Sequence, residues 1–174
     1  MRSVQPQLYK KMPRACVNLI MEITIRPAQP DDIPLMCDLL GDLFNVEADF
    51  EVDVAKQVKG LSMLVGDPSG RAFVGVAVAE NCIAGMATVQ TLVSTAEGGR
   101  VGFVEDVIVD KRFRCRNVGT LLIERIIAWS REQGLARLQL LADRENLPAL
   151  NFYTSRGWNF TKLICLRKYP YYPQ

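Results

Sequence analysis

The sequence contains no histidine among its 174 residues. Histidine is the usual general base at neutral pH, so its absence excludes Ser-His and Cys-His nucleophile pairs and imidazole metal sites. The five cysteines are odd in number and never spaced as CxxC. We therefore expect reduced thiols in a cytoplasmic protein, without a zinc site or a disulfide framework. Any chemistry has to use carboxylates, tyrosines, lysines, thiols, backbone groups or a bound cofactor.

Long apolar runs and a strong charge excess are also lacking. No stretch approaches the roughly 20 apolar residues that a membrane span requires. The net charge of +2 creates no global field that would favour nucleic acid or a membrane surface. Residues 1–20 hold only a short apolar patch, which does not fit a signal peptide. We interpret 1–20 as a disordered or misassigned N-terminal arm and 21–174 as one domain.

The pattern of apolar residues predicts a single α/β domain with the element order β α α β β β α β α β. A hairpin turn at Glu80-Asn81-Cys82 precedes a βαβ unit, so we expect a mixed sheet. The predicted strands cover 22–26, 72–79, 83–92, 103–109, 138–142 and 160–166. The predicted helices run from 31 to 44, 54 to 64, 118 to 133 and 149 to 156.

The most informative segment leads from the strand at 103–109 through an arginine-rich loop into the helix at 118–133. The first N–H groups of a helix have no internal partners and lie at the positive end of its dipole, which favours anions. Gly119 allows a close approach to the backbone, and Arg112, Arg114 and Arg116 add positive charge. The alternative is an ordinary βα turn with solvated arginines, since one glycine is a weak motif.

Here the sequence resembles the GNAT acetyltransferase family. Arg114-x-x-Asn117-x-Gly119 is similar to the family signature Arg/Gln-x-x-Gly-x-Gly/Ala. The segment 146–158 looks like the family's Asn-x-x-Ala-x-x-Phe-Tyr-x-x-x-Gly-Phe stretch, and Ile25–Ala28 resembles family starts. The likeness extends from about residue 22 to residue 166.

Two positions depart from the family pattern, which usually has glycine where Cys115 and Asn117 stand. Asparagine is the best non-glycine residue for a left-handed backbone, so Asn117 is compatible with the loop. Cys115 tolerates a positive φ less well, which bears on cofactor affinity.

The resemblance implies a mixed central sheet of about six or seven strands, with flanking helices and a splayed central strand pair. It also implies acetyl-CoA as the co-substrate and no metal. The pantetheine arm would pair with the strand edge at Val107, Ile108 and Val109. Asn146 would bind this arm or cap the following helix. The remaining predicted cofactor-binding residues are Arg114, Cys115, Arg116, Asn117, Val118, Gly119 and Thr120.

Two catalytic residues follow from the resemblance. Glu105 matches a glutamate that some members use as general base, and the alternative is a simple ion pair with an arginine. Strand alternation would point Asp106 to the opposite face. Tyr153 matches the tyrosine that protonates the departing CoA thiolate, and the alternative is a packed aromatic ring. With no histidine to activate a thiol, direct transfer is favoured over an acyl-cysteine.

The acceptor is indicated only by the segment Asp42–Asp53, which carries five acids and no base. A cationic acceptor would suit it, such as a polyamine, an amino sugar or a peptide amine, although solvated acidity is the commoner explanation. A catalytically silent CoA-binding regulatory domain is the main alternative function. A nucleic-acid patch at Lys111–Arg116 is disfavoured by its shortness. A homodimer is possible, with Tyr169, Tyr171 and Tyr172 as surface or dimer contacts.

Overall fold

The computed structural model describes residues 22–45 and 50–170, so the predicted arm at 1–20 lies outside the described residues. The fold is a mixed sheet flanked by helices on both faces, as the sequence predicts. The strands are β1 (Ile23–Pro27), β2 (Ala72–Ala79), β3 (Cys82–Ser94), β4 (Gly99–Val109) and β5 (Leu138–Leu140). The α-helices are α1 (Ile33–Phe44), α2 (Val54–Val65), α3 (Val118–Glu132) and α4 (Leu147–Thr154).

The strand order is β1-β2-β3-β4-β5, with antiparallel pairing from β1 to β4 and parallel pairing of β4 with β5. The β2–β3 hairpin turns at Glu80 and Asn81, whose φ values of 51° and 60° are those of a two-residue hairpin loop. Within the described residues the sheet has five strands, fewer than the six or seven expected.

The difference lies at residues 160–166, which were predicted to form the last strand and adopt no strand conformation. Phe160, Leu163, Ile164 and Leu166 are between 73% and 87% exposed. Strand preference depends on burial and on cross-strand neighbours. β5 offers only three residues, and the apolar side chains of this segment pack on no sheet face within the described range. The local pattern is therefore insufficient to form the strand.

The two faces of the sheet have separate apolar cores. On one face, α3 packs Leu122, Ile126 and Trp129 against residues of β2, β3 and β4. On the other face, α1 and α2 pack Met36 and Leu61, among others, against a second set of strand residues. We call these the α3 face and the α1–α2 face.

An ion pair fixes the entry into α1. The two terminal guanidinium nitrogens of Arg26 donate to the Asp32 carboxylate, at 2.6 and 2.8 Å. The Gln29 backbone N–H donates to the same carboxylate at 2.7 Å. The Arg26 guanidinium holds the pKa of Asp32 below its usual value. This arrangement joins the end of β1 to the start of the helix that lines one side of the site.

Candidate active site

β4 continues beyond the end of its parallel neighbour β5 at the position where the candidate base lies. β4 and β5 pair only from Gly102–Leu138 to Val104–Leu140, while β4 continues to Val109. Within the described residues, β4 therefore has no β5 partner from residue 105 to residue 109, and this edge of β4 is open; the splay of a central strand pair stays a prediction. The predicted pantetheine edge at Val107, Ile108 and Val109 lines this opening.

The loop after β4 has two left-handed residues. Cys115 has φ 58° and Asn117 has φ 67°, so both positions where the family usually has glycine do adopt the conformation that glycine favours. Asn117 is the N-cap residue of α3, and its side chain makes no cap hydrogen bond. The first N–H groups of α3, at Val118, Gly119 and Thr120, are thus not capped by Asn117.

The three loop arginines have different roles. The Arg112 guanidinium forms an ion pair with Asp110 at 2.6 Å, which neutralises much of its charge. The Arg114 Nε donates to the Val109 carbonyl at 3.1 Å, so this arginine ties the loop back to the end of β4. The Arg116 guanidinium lies 6.0 Å from the Phe113 ring centroid. The rim is therefore less basic than a count of arginines indicates.

Gly119 lies where α4 packs against the start of α3. A Cβ atom at this position would meet the Phe152 ring at 3.3 Å and the Val109 side chain at 3.6 Å. The missing side chain therefore allows close packing of α3 with α4. Any contact of Gly119 with an anion would be made by its backbone N–H.

Arg156 is a candidate that the sequence did not reveal. Its guanidinium donates to the Thr120 hydroxyl at 2.6 Å and lies 3.9 Å from the Phe152 ring centroid. It thus places a positive charge beside the first turn of α3. Thirty-six residues separate Arg156 from Thr120, so only the packing of α4 on α3 brings them together and no local motif signals it.

Glu105 and Asp106 lie on the same face of the sheet. The Gln90 amide donates to Glu105 at 3.0 Å, and the Thr88 hydroxyl donates to Asp106 at 3.2 Å. Residues 88 and 90 are two apart on β3 and share one face. Asp106 has φ 55°, and the β3–β4 register shifts there. This β-bulge overturns the expectation that Asp106 faces the other way.

The Glu105 carboxyl combines solvent access with a raised pKa. Partial burial in the sheet surface raises the pKa, and the hydrogen bond from Gln90 opposes this by stabilising the carboxylate. No arginine or lysine forms an ion pair with Glu105 among the described residues. The arrangement suits a carboxylate that accepts a proton more readily than an ordinary surface glutamate.

Tyr153 and Asn146 both belong to α4. The Tyr153 ring makes edge-on contacts with Phe152 and Trp158, at centroid distances of 5.2 and 5.8 Å. The neighbouring Phe152 is the residue that lies against Gly119 at the start of α3. Asn146 caps α4, because its side-chain oxygen accepts the Ala149 N–H at 3.1 Å.

Two carboxylates of the acidic segment 42–53 form ion pairs with lysines. Asp42 forms an ion pair with Lys111 at 3.0 Å, and Asp53 forms one with Lys56 at 3.1 Å. Glu51 also lies in this segment, whereas positions 47 and 49 lie outside the described residues.

Among the described residues, no group of three or more acidic or cysteine side chains is placed to hold a metal ion. No helix in the described part of the chain is both long and apolar enough to span a bilayer.

Comparison with known proteins identifies the family. The sequence profile of the Acetyltransferase (GNAT) family matches residues 34–158. This match covers well over half of the chain. The protein therefore belongs to the GNAT acetyltransferase family.

Three relatives illustrate the relationship. An uncharacterized N-acetyltransferase of Methanocaldococcus jannaschii is 26% identical over 152 residues; the match covers 84% of this chain and 65% of that protein, so the chain spans about two thirds of its relative's length. A possible acetyltransferase from Clostridium difficile 630 superposes with a TM-score of 0.75 at 19% identity, over 86% of this chain and 99% of that one. A predicted acetyltransferase from Clostridium acetobutylicum, solved with acetyl-CoA, gives a TM-score of 0.68 at 16% identity, over 84% and 96% of the two chains.

Proposed function

We propose that this protein is an N-acetyltransferase that transfers an acetyl group from acetyl-CoA directly to a primary amine. The observation that carries the proposal is the position of Glu105 at the start of the β4–β5 opening, which leads into a left-handed loop and the uncapped first turn of α3. A carboxylate, an open strand edge and an anion-binding helix start then lie in series along one stretch of chain.

The residues of the opening fit the shape and charge of a CoA thioester. Backbone amides from Cys115 to Thr120 would hold the pyrophosphate, since the α3 start favours anions. Arg156 would add a side-chain contact to a phosphate oxygen. The exposed edge of β4 from 107 to 109 would pair with the pantetheine amides, although the Val109 carbonyl already accepts from Arg114. When bound, acetyl-CoA supplies an activated acyl carbon.

The acceptor amine enters as an ammonium and must lose a proton before it can react. Glu105 accepts that proton, and its raised pKa makes it a stronger base than an ordinary glutamate. The amine nitrogen then forms a bond to the acyl carbon while the C–S bond breaks. The Tyr153 hydroxyl donates a proton to the departing sulfur and is reprotonated when the second amine proton is lost, and Glu105 releases its proton to solvent.

A resin-binding and turnover experiment tests the proposal. The protein should be retained on immobilised CoA and should release free thiol from acetyl-CoA when amines are added. Retention without thiol release from any amine would instead identify a catalytically silent CoA-binding domain. Absence of retention would contradict both functions.

A further inference from the structure

We propose that the acceptor amine also carries an oxyanion group, a carboxylate or a phosphate, and that Arg71 binds this group. This inference rests on the proposed acetyl transfer and names the acceptor class for the same site. It begins from a cavity of about 180 Å³ on the α1–α2 face, where the end of α2 lies beside β2 and β3. The polar residues of its lining are Asp67, Arg71, Gln90 and Thr91.

Gln90 joins this cavity to the candidate base. Its half-buried side chain lines the cavity, and its amide nitrogen donates to the Glu105 carboxylate at 3.0 Å. Glu105 does not line the cavity itself, but its side chain is exposed on the far side of that hydrogen bond. An acceptor that contacts Gln90 from the cavity is therefore one side chain away from the base. Its amine can extend to Glu105 while the rest of the molecule stays in the cavity.

Arg71 supplies a positive charge that has no counter-ion in the fold. It alone is positively charged among the described residues that line the cavity, and its guanidinium forms no ion pair within the described part of the chain. The backbone of Arg71 is fixed, since its carbonyl accepts the Thr91 N–H at 2.8 Å. A fixed backbone thus presents an exposed, unpaired guanidinium at the cavity.

Asp67 lines the same cavity, but its carboxylate is already fully hydrogen-bonded. One oxygen accepts the backbone N–H and the hydroxyl of Ser69, at 2.9 and 2.6 Å, and the other accepts the N–H groups of Arg71 and Ala72, at 2.9 and 3.2 Å. A carboxylate offers about four lone-pair positions, so all of them are filled. The hydrogen bonds from Ser69 hold the pKa of Asp67 below its usual value. The Arg71 guanidinium therefore keeps its donors for an oxyanion of a ligand.

The cavity also limits the size and the chemistry of the ligand. The planar guanidinium fork matches a carboxylate or a phosphate, to which it can donate two parallel hydrogen bonds. Met63 and Leu64 provide an apolar wall. The volume lies below the roughly 300–1,000 Å³ of pockets for drug-sized ligands, which indicates a small amine of the amino-acid or amino-phosphate type.

This acceptor class differs from the cationic acceptor expected from the acidic segment 42–53. Glu51 and Asp53 of that segment line a separate cavity, between α1, α2 and β4. Neither carboxylate belongs to the lining around Arg71, so neither opposes an oxyanion there.

The experiment uses pairs of acceptors that differ only in the anionic group: leucine with isoamylamine, δ-aminovalerate with butylamine, and O-phosphoethanolamine with ethanolamine. Initial rates of thiol release from acetyl-CoA give kcat and KM for each amine. We expect the wild type to prefer the anionic member of at least one pair by about 10-fold or more in kcat/KM, because hydrogen bonds between charged partners are the strong ones. The carboxylate pairs and the phosphate pair distinguish the two oxyanions.

Arg71→Met removes the guanidinium and leaves the backbone bonds of residue 71 in place. We expect KM for the preferred anionic acceptor to rise by about 10-fold or more, with little change for its plain partner and for acetyl-CoA affinity. Comparing the preference of the variant with that of the wild type cancels the difference in amine basicity. Arg71→Lys, which keeps the charge and loses the fork, should retain part of the preference. Lys59→Met removes one positive charge at an exposed position of α2 and is the matched control.

The outcomes separate this inference from the function on which it rests. Thiol release from none of the amines would contradict the proposed acetyl transfer itself. Transfer to the plain amines without any preference for an anionic partner would overturn the oxyanion assignment and leave the transfer intact. A preference that survives in Arg71→Met would also overturn it. So would a preference that Lys59→Met loses to the same extent, because the net charge of the protein would then be responsible.

Discussion

The proposed cofactor side and the proposed acceptor side of this site are built in different ways. The cofactor side consists largely of one continuous segment, in which β4 leads through the left-handed residues Cys115 and Asn117 into α3. The acceptor side combines α2, β2, β3 and a bulge in β4. Residues close in sequence are placed by local backbone geometry, whereas the cavity between α2, β2 and β3 depends on how separate elements pack. Mutations on the two sides should therefore change different kinetic quantities.

The largest effect is expected where the two sides meet, at Glu105. Glu105→Gln removes the base, and general-base loss typically costs about 10² to 10⁴-fold in rate. We expect kcat/KM to fall by that order for every amine, with acetyl-CoA affinity unchanged by calorimetry. Glu124→Gln, at an exposed position of α3, is the matched control. A wild-type rate in Glu105→Gln would leave solvent as the proton acceptor.

The pH dependence sharpens this test. Burial raises the pKa of Glu105, and activity requires the carboxylate, so the rate should fall as the pH drops through that raised pKa. Gln90→Leu removes the hydrogen bond that favours the carboxylate and should move this acidic limb of the rate profile to higher pH.

A raised pKa in the folded protein also means that Glu105 contributes to stability at low pH. This contribution is lost as the pH rises through the raised pKa. Glu105→Gln should thus be no less stable than the wild type near neutral pH.

A smaller effect is expected on the cofactor side at Tyr153. Tyr153→Phe keeps the ring contacts with Phe152 and Trp158, so stability and acetyl-CoA affinity should change little. If the hydroxyl protonates the leaving sulfur, kcat should fall by about 10-fold or more for all amines. Tyr169→Phe, at an exposed residue, is the control. An acyl donor whose leaving thiol is more acidic should recover much of the lost rate in Tyr153→Phe. An unchanged kcat in this variant would identify Tyr153 as a packing residue.

Arg156 tests whether the cofactor side extends beyond its continuous segment. Arg156→Ala removes the guanidinium beside Thr120, and we expect CoA affinity to fall by about 10-fold, as for a lost charge-assisted hydrogen bond. The preference among amines should stay the same. Arg131→Ala, in the last turn of α3, should leave the affinity unchanged. A shift in amine preference in Arg156→Ala would break the proposed separation of the two sides.

The smallest effect concerns backbone strain at Cys115. An L-residue with a positive φ carries a cost that glycine does not, so Cys115→Gly should stabilise the fold by about 0.5–1 kcal/mol once the greater freedom of the unfolded chain is included. Asn117→Gly should gain less, because asparagine tolerates this conformation. Chemical denaturation measures both, and Cys82→Gly at an exposed strand position should destabilise instead. A loss of stability in Cys115→Gly would show that its side chain contributes contacts that outweigh the strain.

Much of the fold could be predicted from the sequence because its signals are local. The α3 helix has a clear apolar stripe, and its observed bounds, Val118–Glu132, differ by one residue from the prediction. The positive φ values at Cys115 and Asn117 were indicated by the family's glycines at those positions. The strand predicted at 160–166 was wrong, because a strand needs a neighbouring strand to pair with and a local sequence pattern does not supply one.

The sequence by itself determined the order of elements from β1 to α4, the loop after β4 and the residue types available for catalysis in a chain without histidine. The tertiary structure decided three further matters: that Glu105 and Asp106 share a face, that Arg156 reaches Thr120, and that Arg71 and Gln90 line one cavity at the end of α2. Each depends on a register shift or on helix packing between segments distant in sequence. Local periodicity describes only one element at a time, so it does not contain this information.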